Sequence, residues 1–384
     1  LLVFRLYNVY RDVAKRNQYI FTILGVLLLP IVVSQILIPF ATFSDIVKKP
    51  TSLNAVVLQP NIDPYTEKFA ASASNEAFTD SLINLANRHV TSETNLVIAP
   101  ETALPLSFQE DRLHTYNFGQ RLSDQVQKWP RANLLIGAST VQILNHKQSV
   151  ASTPIPNTNE WYESYNASLL LTKKEAPQYA HKSKLVPGVE LVPFSAYLPF
   201  LSALAIENGG TSGTLGVEKE PKTLQIPVPT YGSGKSFTGN KHNEIFSLAP
   251  IICYESIYGD FVRQQVQKGA QVLCILTNDG WWGNTPGYKQ HFSFARLRAI
   301  ETRRWVLRSA NTGISGSIDP SGKIIKKTAY WTKTAFTQTV QLRSDKTFYA
   351  TYGDWVAGLS VSWVFISLSI FLQHLSKKNR KLQQ

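Results

Sequence analysis

The chain has 384 residues, of which 43% are hydrophobic and 17% are charged, and this balance excludes an intrinsically disordered protein. Its formal net charge is +13, but about half of that excess lies in two short basic segments, residues 1–17 and 374–384, which argues against a nucleic-acid partner. The two cysteines, Cys253 and Cys274, allow one disulfide at most, so a disulfide-built scaffold is excluded as well.

The first predicted element is a transmembrane helix at residues 18–40, preceded by the basic segment 1–17. No charged residue occurs between Asn17 and Ser44, and about 20 apolar residues are enough to cross a bilayer's hydrocarbon layer. A cleaved signal peptide also has a basic front, but no small-residue cleavage site follows here. The chain contains no Met, and we expect it to be a fragment of a longer protein.

Residues 50–345 are predicted to form one α/β domain, because short β-rich apolar runs alternate with stretches of helical length. The predicted strands lie at residues 54–59, 95–100, 133–140, 165–172, 249–254 and 271–278. The predicted helices lie at residues 75–89, 112–128, 259–268 and 288–308. A Pro-Ser-Gly turn at 320–322 predicts a hairpin, and the Gly-, Pro- and Ser-rich stretch 207–239 predicts a long mobile insert.

A second transmembrane helix is predicted at residues 354–373, followed by the basic tail 374–384; a buried core helix is the alternative. Both predicted spans carry their basic flank on the outer end of the sequence, so both tails are predicted to be cytoplasmic. The domain at 50–345 would then lie on the far side of the membrane, which in a bacterium is the periplasm or the outer face.

Three residues, an acid, a cysteine and a lysine, stand at the ends of apolar runs or in a polar turn. Glu101 comes just after the run that ends at Pro100, Cys253 ends another run, and Lys182 lies in a polar turn. A cysteine nucleophile needs a base to take its proton and a cation to stabilise the oxyanion, and this trio supplies both without a histidine. Cys274 has no polar neighbour in its run and is predicted to be a core residue.

The polar residues allow other interpretations. A Cys–His pair that uses His181 or His291 is an open alternative for the nucleophile. The GSGKS run at 232–236 lacks the first glycine of a phosphate loop, so no nucleotide site is expected. A glycosylation pattern at Asn166 falls inside a predicted strand. No metal-ligand spacing is present, so neither a metal nor a cofactor is predicted.

The motifs that carry the trio resemble a known superfamily. Glu101 in APETALP, Lys182 in HKSKLVPGVE and Cys253 in ICYES follow the order of the Glu–Lys–Cys triad of the nitrilase, or carbon–nitrogen hydrolase, superfamily. The segment at 277–322, with TNDGWWG and RSANTGISG, is similar to one branch of it, the apolipoprotein N-acyltransferases. The resemblance implies a four-layer α-β-β-α sandwich flanked by transmembrane helices.

The resemblance also implies roles for individual residues. Cys253 would be the nucleophile, Glu101 the general base and Lys182 the cation that stabilises the tetrahedral intermediate. Supporting or substrate-binding positions, matched motif by motif, are Glu190, Tyr254, Glu255, Trp281 and, as the nearest counterpart of a Trp on a mobile arm, Phe69. The family's usual Phe-Gly before the second glutamate reads Gly188-Val189 here.

The function that the resemblance implies is transfer of a fatty acyl group through a cysteine thioester. The donor would be a phospholipid of the bilayer, and the acceptor would be the N-terminal diacylglyceryl-cysteine amine of a bacterial apolipoprotein. The expected location is the bacterial inner membrane, with the catalytic domain on the periplasmic side. The alternatives are a membrane-tethered amidase that hydrolyses a small amide and a non-catalytic lipoprotein-binding domain.

Overall fold

The computed structural model describes residues 13–43, 52–70, 72–187, 189–190, 215–229 and 243–382. Contacts divide the chain into two units, residues 1–50 and 51–384. The predicted basic segment 1–17 lies largely outside the described residues, as do Gly188 and residues 207–214 and 230–239 of the predicted insert.

The first unit contains one described helix, α1 (Val13–Phe43), in which the predicted span at 18–40 lies. Its segment Val13–Val33 is, within the described residues, the one helical stretch long and apolar enough to cross a membrane by length and composition. Large apolar side chains along it are exposed, including Phe21, Leu27 and Leu29. Its crossing of a bilayer stays a prediction.

The second unit alternates strands and helices. Its strands are β1 (Ser52–Gln59), β2 (Leu96–Ile98), β3 (Leu104–Gln109), β4 (Asn133–Leu144), β5 (Thr153–Pro154), β6 (Trp161–Leu171), β7 (Gln178–His181), β8 (Leu224–Pro229), β9 (Asn243–Ile252), β10 (Val272–Thr277), β11 (Val306–Ala310), β12 (Gly316–Ile318), β13 (Ile324–Lys327) and β14 (Thr334–Gln341). Its α-helices are α2 (Asn75–Asn87), α3 (Asn117–Lys128), α4 (Gly259–Gln267), α5 (Gly287–Thr302), α6 (Phe348–Tyr352) and α7 (Trp355–Leu382). Short 3₁₀ helices lie at Glu110–Thr115, Cys253–Ile257 and Asp279–Trp282.

These strands form two mixed sheets among the described residues. The first has eight strands, in the order β14-β1-β2-β4-β6-β5, with β3 also pairing with β4 and β7 with β6. The second has six strands, in the order β13-β12-β11-β10-β9-β8. Strands β1, β2 and β4 run parallel, as do β9, β10 and β11, so their carboxyl ends share one edge of each sheet.

Buried side chains divide the domain into four layers. Val57 on β1 and Cys274 on β10 belong to a core between the two sheets, whereas their neighbours Val56 and Leu273 face outward. This alternation follows from the two-residue period of a strand. The outer face of the first sheet packs against α2 and α3, and that of the second against α4 and α5. The predicted α/β class is therefore confirmed, and Cys274 is a core residue as predicted.

The last predicted helix of the domain, at 288–308, is wrong at its carboxyl end. Helix α5 stops at Thr302, and Arg303 adopts a left-handed φ of 51° as its C-cap. The chain then enters β11, which buries the Arg308 side chain completely. A buried carboxylate partner, rather than local helical propensity, decides the conformation of this arginine.

Helix α7 begins at Trp355 and includes all but the first residue of the second predicted span, at 354–373. Its apolar part, Trp355–Ile370, is shorter than that of α1. Trp363 is 69% exposed and Phe365 is 65% exposed, so this stretch does not fit the alternative of a buried core helix. A membrane-spanning role for α7 stays a prediction.

Candidate active site

Cys253 stands at the carboxyl end of β9, which lies between β10 and the edge strand β8 of the second sheet. The strand ends at Ile252, and the chain turns at once into the 3₁₀ helix Cys253–Ile257. Cys253 itself has φ = 49°, a conformation that a residue with a side chain adopts only when its surroundings hold it there. The turn leaves the thiol half-buried at a cavity wall.

Glu101 follows β2 at the corresponding edge of the first sheet. The preceding residue, Pro100, accepts a hydrogen bond from the N–H of Gly137 on β4, at 3.1 Å. A Cβ at Gly137 would come within 2.6 Å of the Glu101 Cα, so a glycine is required for the Glu101 turn to approach β4 this closely. Thr102, next in the chain, has a positive φ of 44°.

Lys182 follows β7 and joins two carboxylates. Its Nζ lies 3.1 Å from Glu101 Oε1 and 2.8 Å from Glu190 Oε1, and its side chain is 1% exposed. The amide of Asn166, on β6, donates to the same two oxygens, at 2.9 Å and 3.2 Å. The second oxygen of Glu190 accepts from the N–H of Val186 at 2.9 Å. The lysine is therefore held by a buried network of charge-assisted hydrogen bonds.

These contacts set the protonation of the three principal groups. Burial raises the pKa of the Cys253 thiol well above its usual range, and the charge of Glu101 raises it further against the opposing effect of Lys182. Burial alone would raise the pKa of Glu101, but Lys182, Asn166 and Lys68 together hold that pKa below its ordinary value. Burial opposes the charge of Lys182, yet Glu101 and Glu190 raise the lysine pKa well above its usual range. At neutral pH the site therefore holds a thiol, a carboxylate and an ammonium group.

One cavity of about 290 Å³ brings these groups together. The predicted site residues on its wall are Phe69, Glu101, Lys182, Glu190, Cys253, Tyr254 and Trp281. Glu255 does not line it. That side chain is buried and accepts from the N–H of Ser183 at 2.5 Å and from the N–H of Ile252 at 2.8 Å, so it clamps the lysine turn to the cysteine strand. Burial raises the pKa of Glu255 to about 7.

Aromatic side chains cover one side of the cavity. The rings of Phe69 and Trp281 stack with centroids 5.9 Å apart, and Tyr65 meets Trp281 edge-on at 5.3 Å. Trp282, also on the wall, is 45% exposed. The thiol therefore faces a largely apolar space with a few charged groups at one end, which suits a substrate with an apolar body and a reactive carbonyl.

The geometry does not favour a Cys–His pair. His291 lines the cavity, but its Nδ1 lies 2.9 Å from Asp279 Oδ1, and its Nε2 lies near the hydroxyl of Ser256 and the main-chain oxygen of Cys253, at 2.9 Å and 3.1 Å. Asp279 is in turn paired with the buried Arg308 at 2.9 Å. His181 is held between Glu110 and Glu218, which raise its pKa against the effect of burial. Both rings are occupied by contacts other than the thiol.

Sequence reasoning missed two residues of the site. The glycosylation pattern at Asn166 carries little weight inside a predicted strand, and no site role is predicted for this residue, but its side chain is buried and bridges Glu101 and Glu190. Lys68 is buried beneath the Glu101 turn. A polar residue inside a buried strand was the available signal for Asn166, whereas nothing in the local pattern marked Lys68. In the described part of the chain no group of three or more His, Cys, Asp or Glu side chains could hold a metal ion.

Comparison with known proteins places the chain in a family. The carbon–nitrogen hydrolase pattern matches residues 55–347. The chain is 33% identical over 306 residues to the apolipoprotein N-acyltransferase of Chlorobaculum tepidum, which covers 79% of this chain and 54% of that protein. It is 28% identical over 340 residues to the enzyme of that name from Haemophilus ducreyi, which covers 88% and 59%. The chain thus spans about half the length of the curated relatives it matches.

The fold has solved counterparts. A mutant of the amidase from Nesterenkonia AN1, of the nitrilase superfamily, superposes with a TM-score of 0.50 at 13% identity, over 83% of this chain and 99% of that chain. At this identity the likeness bears on the fold, and it agrees with the paired mixed sheets described above. From the match over most of its length, we conclude that the chain belongs to the carbon–nitrogen hydrolase family.

Proposed function

We propose that the chain is the catalytic part of an apolipoprotein N-acyltransferase, with Cys253 as the nucleophile. The observation that carries the proposal is the single cavity that holds a thiol, an ionised carboxylate and a buried ammonium group. The resemblance to enzymes named apolipoprotein N-acyltransferase over 79% and 88% of this chain favours acyl transfer over hydrolysis. These relatives do not favour the amidase alternative.

In the first step, Glu101 accepts the proton of Cys253 as the sulfur attacks the ester carbonyl of a phospholipid. Because the pKa of the thiol is raised and that of the carboxylate is lowered, a resting thiolate is disfavoured, and proton transfer has to accompany the attack. The ester bond breaks, Glu101 returns the proton to the departing alcohol, and the acyl group remains on sulfur as a thioester.

Lys182 stabilises the negative charge that develops on the attacked carbonyl oxygen. Its ammonium is fixed by two carboxylates and does not have to reorganise during the reaction. We expect the N–H of Tyr254, which follows the nucleophile, to be the second donor. Hydrogen bonds from Asn166 and to Glu190 keep the side chains of Lys182 and Glu101 in position. Glu255 holds the turn that carries Lys182 against the strand that ends at Cys253.

In the second step, the free amine of a diacylglyceryl-cysteine at the N-terminus of an apolipoprotein attacks the thioester. The amine loses a proton to Glu101, the carbon–sulfur bond breaks, and the thiol of Cys253 is restored. Water competes with the amine, so the aromatic cover formed by Tyr65, Phe69 and Trp281 would protect the thioester.

The donor implies a membrane location. We propose that the predicted spans at residues 18–40 and 354–373 cross the bacterial inner membrane and that the domain at 50–345 lies on the periplasmic face. Residues 1–17 and 374–384 would be cytoplasmic. The bilayer is then both the anchor and the source of the acyl group.

The test is mass spectrometry of the detergent-solubilised protein after incubation with phosphatidylethanolamine. A fatty acyl adduct on Cys253 is expected, with loss of the adduct on addition of a diacylglyceryl lipopeptide and appearance of the acylated amine. The adduct should vanish in Cys253→Ala and persist in Cys274→Ala, which removes the buried thiol of the core. Release of free fatty acid without any transfer to the amine would instead support the hydrolase alternative.

A further inference from the structure

A second lysine lies buried at this site, and the mechanism above does not use it. The side chain of Lys68 is 2% exposed. Its Nζ donates to the main-chain oxygen of Glu101 at 3.0 Å and to the hydroxyl of Thr102 at 2.6 Å. Within the described ranges it has no carboxylate at ion-pair distance, in contrast to Lys182. A buried ammonium group without such a partner is costly, so its presence calls for a reason.

The contacts of Lys68 fall where the main chain is strained. Thr102 has a positive φ of 44°, a region that residues with a branched Cβ rarely adopt. Lys68 binds the carbonyl on one side of this residue and the hydroxyl of the residue itself. The ammonium group therefore stabilises the turn that orients the Glu101 carboxylate.

The segment that carries Lys68 also carries the aromatic cover. Phe69, the next residue, stacks on Trp281. At its other end the segment is tied to the second sheet, because the N–H of Ile62 donates to Asn311 Oδ1 at 2.9 Å and Asn311 Nδ2 donates back to Ile62 O at 2.7 Å. The segment thus spans from the edge of the second sheet to the Glu101 turn of the first, and Lys68 is its attachment there.

We propose that Lys68 is a positioning residue of the candidate active site, whose ammonium group joins the Phe69 segment to the Glu101 turn and supplies a second positive charge beside Glu101 and Cys253. The inference rests on the proposed function, because it assigns Lys68 a part in the same site. It goes beyond the triad by linking the aromatic cover to the placement of the base.

The surroundings of Lys68 give this charge a measurable signature. Burial lowers the pKa of Lys68 to about 7, against the opposing effects of Glu101 and Cys253, which are the titratable groups that act on it. Lys182 and Asp279 also act on Cys253, and Glu255, two residues further along the chain, has a pKa raised to about 7 as well. Below about pH 7 the ammonium charge favours the Cys253 thiolate, and above it that help is lost. The logarithm of the thiolate reaction rate should therefore rise less steeply with pH above about 7.

The experiment is alkylation of Cys253 by iodoacetamide, followed by mass spectrometry across a pH series in a Cys274→Ala background. Lys68→Met should slow alkylation by about tenfold at pH 6, where the lysine of the unsubstituted protein is charged, and should reduce the bend near pH 7 to the part that Glu255 contributes. Lys173→Met is the matched control, since Lys173 also donates to main-chain carbonyls, those of Gln127 and Trp129, far from the cavity. It should leave both rate and bend unchanged.

Lys68→Arg makes the test independent of whether the Met variant folds. Arginine keeps the charge but does not titrate in this range, so the rate at neutral pH should stay within about threefold of the unsubstituted protein, while the bend shrinks to the part that Glu255 contributes. A bend of undiminished size in Lys68→Arg, or a Lys68→Met profile that matches Lys173→Met, overturns the inference. Because iodoacetamide requires neither lipid donor nor amine acceptor, failure of phospholipid acylation would refute the proposed function and leave this result standing.

Discussion

Two buried ionic clusters lie near Cys253. They differ in whether their side chains line the cavity. The cavity cluster, on the first sheet, consists of Glu101, Lys182, Glu190 and Asn166. The support cluster, reached from the second sheet, consists of Asp279, His291, Arg308 and Ser256. All members of the cavity cluster line the cavity, whereas Asp279, Arg308 and Ser256 lie behind its wall.

The cavity cluster contains a lysine and the support cluster an arginine, and each cation suits the position of its cluster relative to the cavity. Lys182 presents a compact ammonium group to two carboxylates that face open space, which leaves it available to an incoming oxyanion. Arg308 points a guanidinium nitrogen at both oxygens of Asp279, at 2.9 Å and 3.2 Å, and that carboxylate orients His291 toward the carbonyl of Cys253. The cavity cluster faces the space where a substrate would bind, and the support cluster contacts the main chain of the Cys253 turn. Substitutions in the two clusters should therefore separate activity from stability.

The largest effect is expected from Glu101→Gln in the cavity cluster. The amide has nearly the shape of the carboxylate but accepts no proton, so the rate of Cys253 acylation should fall by about 10²–10⁴-fold. Stability should change little, because Lys182 keeps Glu190 as its partner. Single-turnover acylation followed by mass spectrometry measures the rate. Glu163→Gln, which changes a buried carboxylate held by Ser152 and Tyr165 outside the cavity wall, is the control and should acylate normally.

The next largest effect is expected from Arg308→Met in the support cluster. This change leaves Asp279 buried without its cation and should lower the free energy of unfolding by about 3–5 kcal/mol. Thermal and urea unfolding of the solubilised protein measure it. Arg121→Met removes the exposed pair with Asp80, whose side chains are 49% and 52% exposed, and should cost less than about 1 kcal/mol. Equal losses in the two variants would break the proposed distinction between the clusters.

The smallest effect is expected from Phe69→Ala in the aromatic cover. Loss of the stack on Trp281 should cost about 0.5–1.5 kcal/mol and leave the fold intact. Hydrolysis of the thioester should then increase relative to transfer, because the cover no longer excludes water as well. The ratio of free fatty acid to acylated lipopeptide measures this, with Phe69→Trp as the control that retains an aromatic ring. An unchanged ratio would argue against a protective role for the cover.

Much of the domain could be predicted from local pattern. Apolar β-rich runs predicted the central strands β1, β4, β6, β9 and β10, because strands buried on both faces are continuously hydrophobic. The strand-end positions of Glu101 and Cys253 followed directly, and they lie on one cavity wall. Strands β7, β8, β11 and β14 were not predicted. The eight residue pairs between β1 and β14 join segments far apart in sequence, and no local period reveals such a pairing.

The sequence alone determined the α/β class, the core position of Cys274 and the motifs that carry Glu101, Lys182 and Cys253. These depend on hydrophobic period and on motif order, which are local properties of the chain. Only the tertiary structure decided the role of Asn166, the strand conformation at Arg308 and the burial of Lys68. Each depends on a partner that another element supplies, and a buried polar side chain takes its conformation from the group that satisfies it.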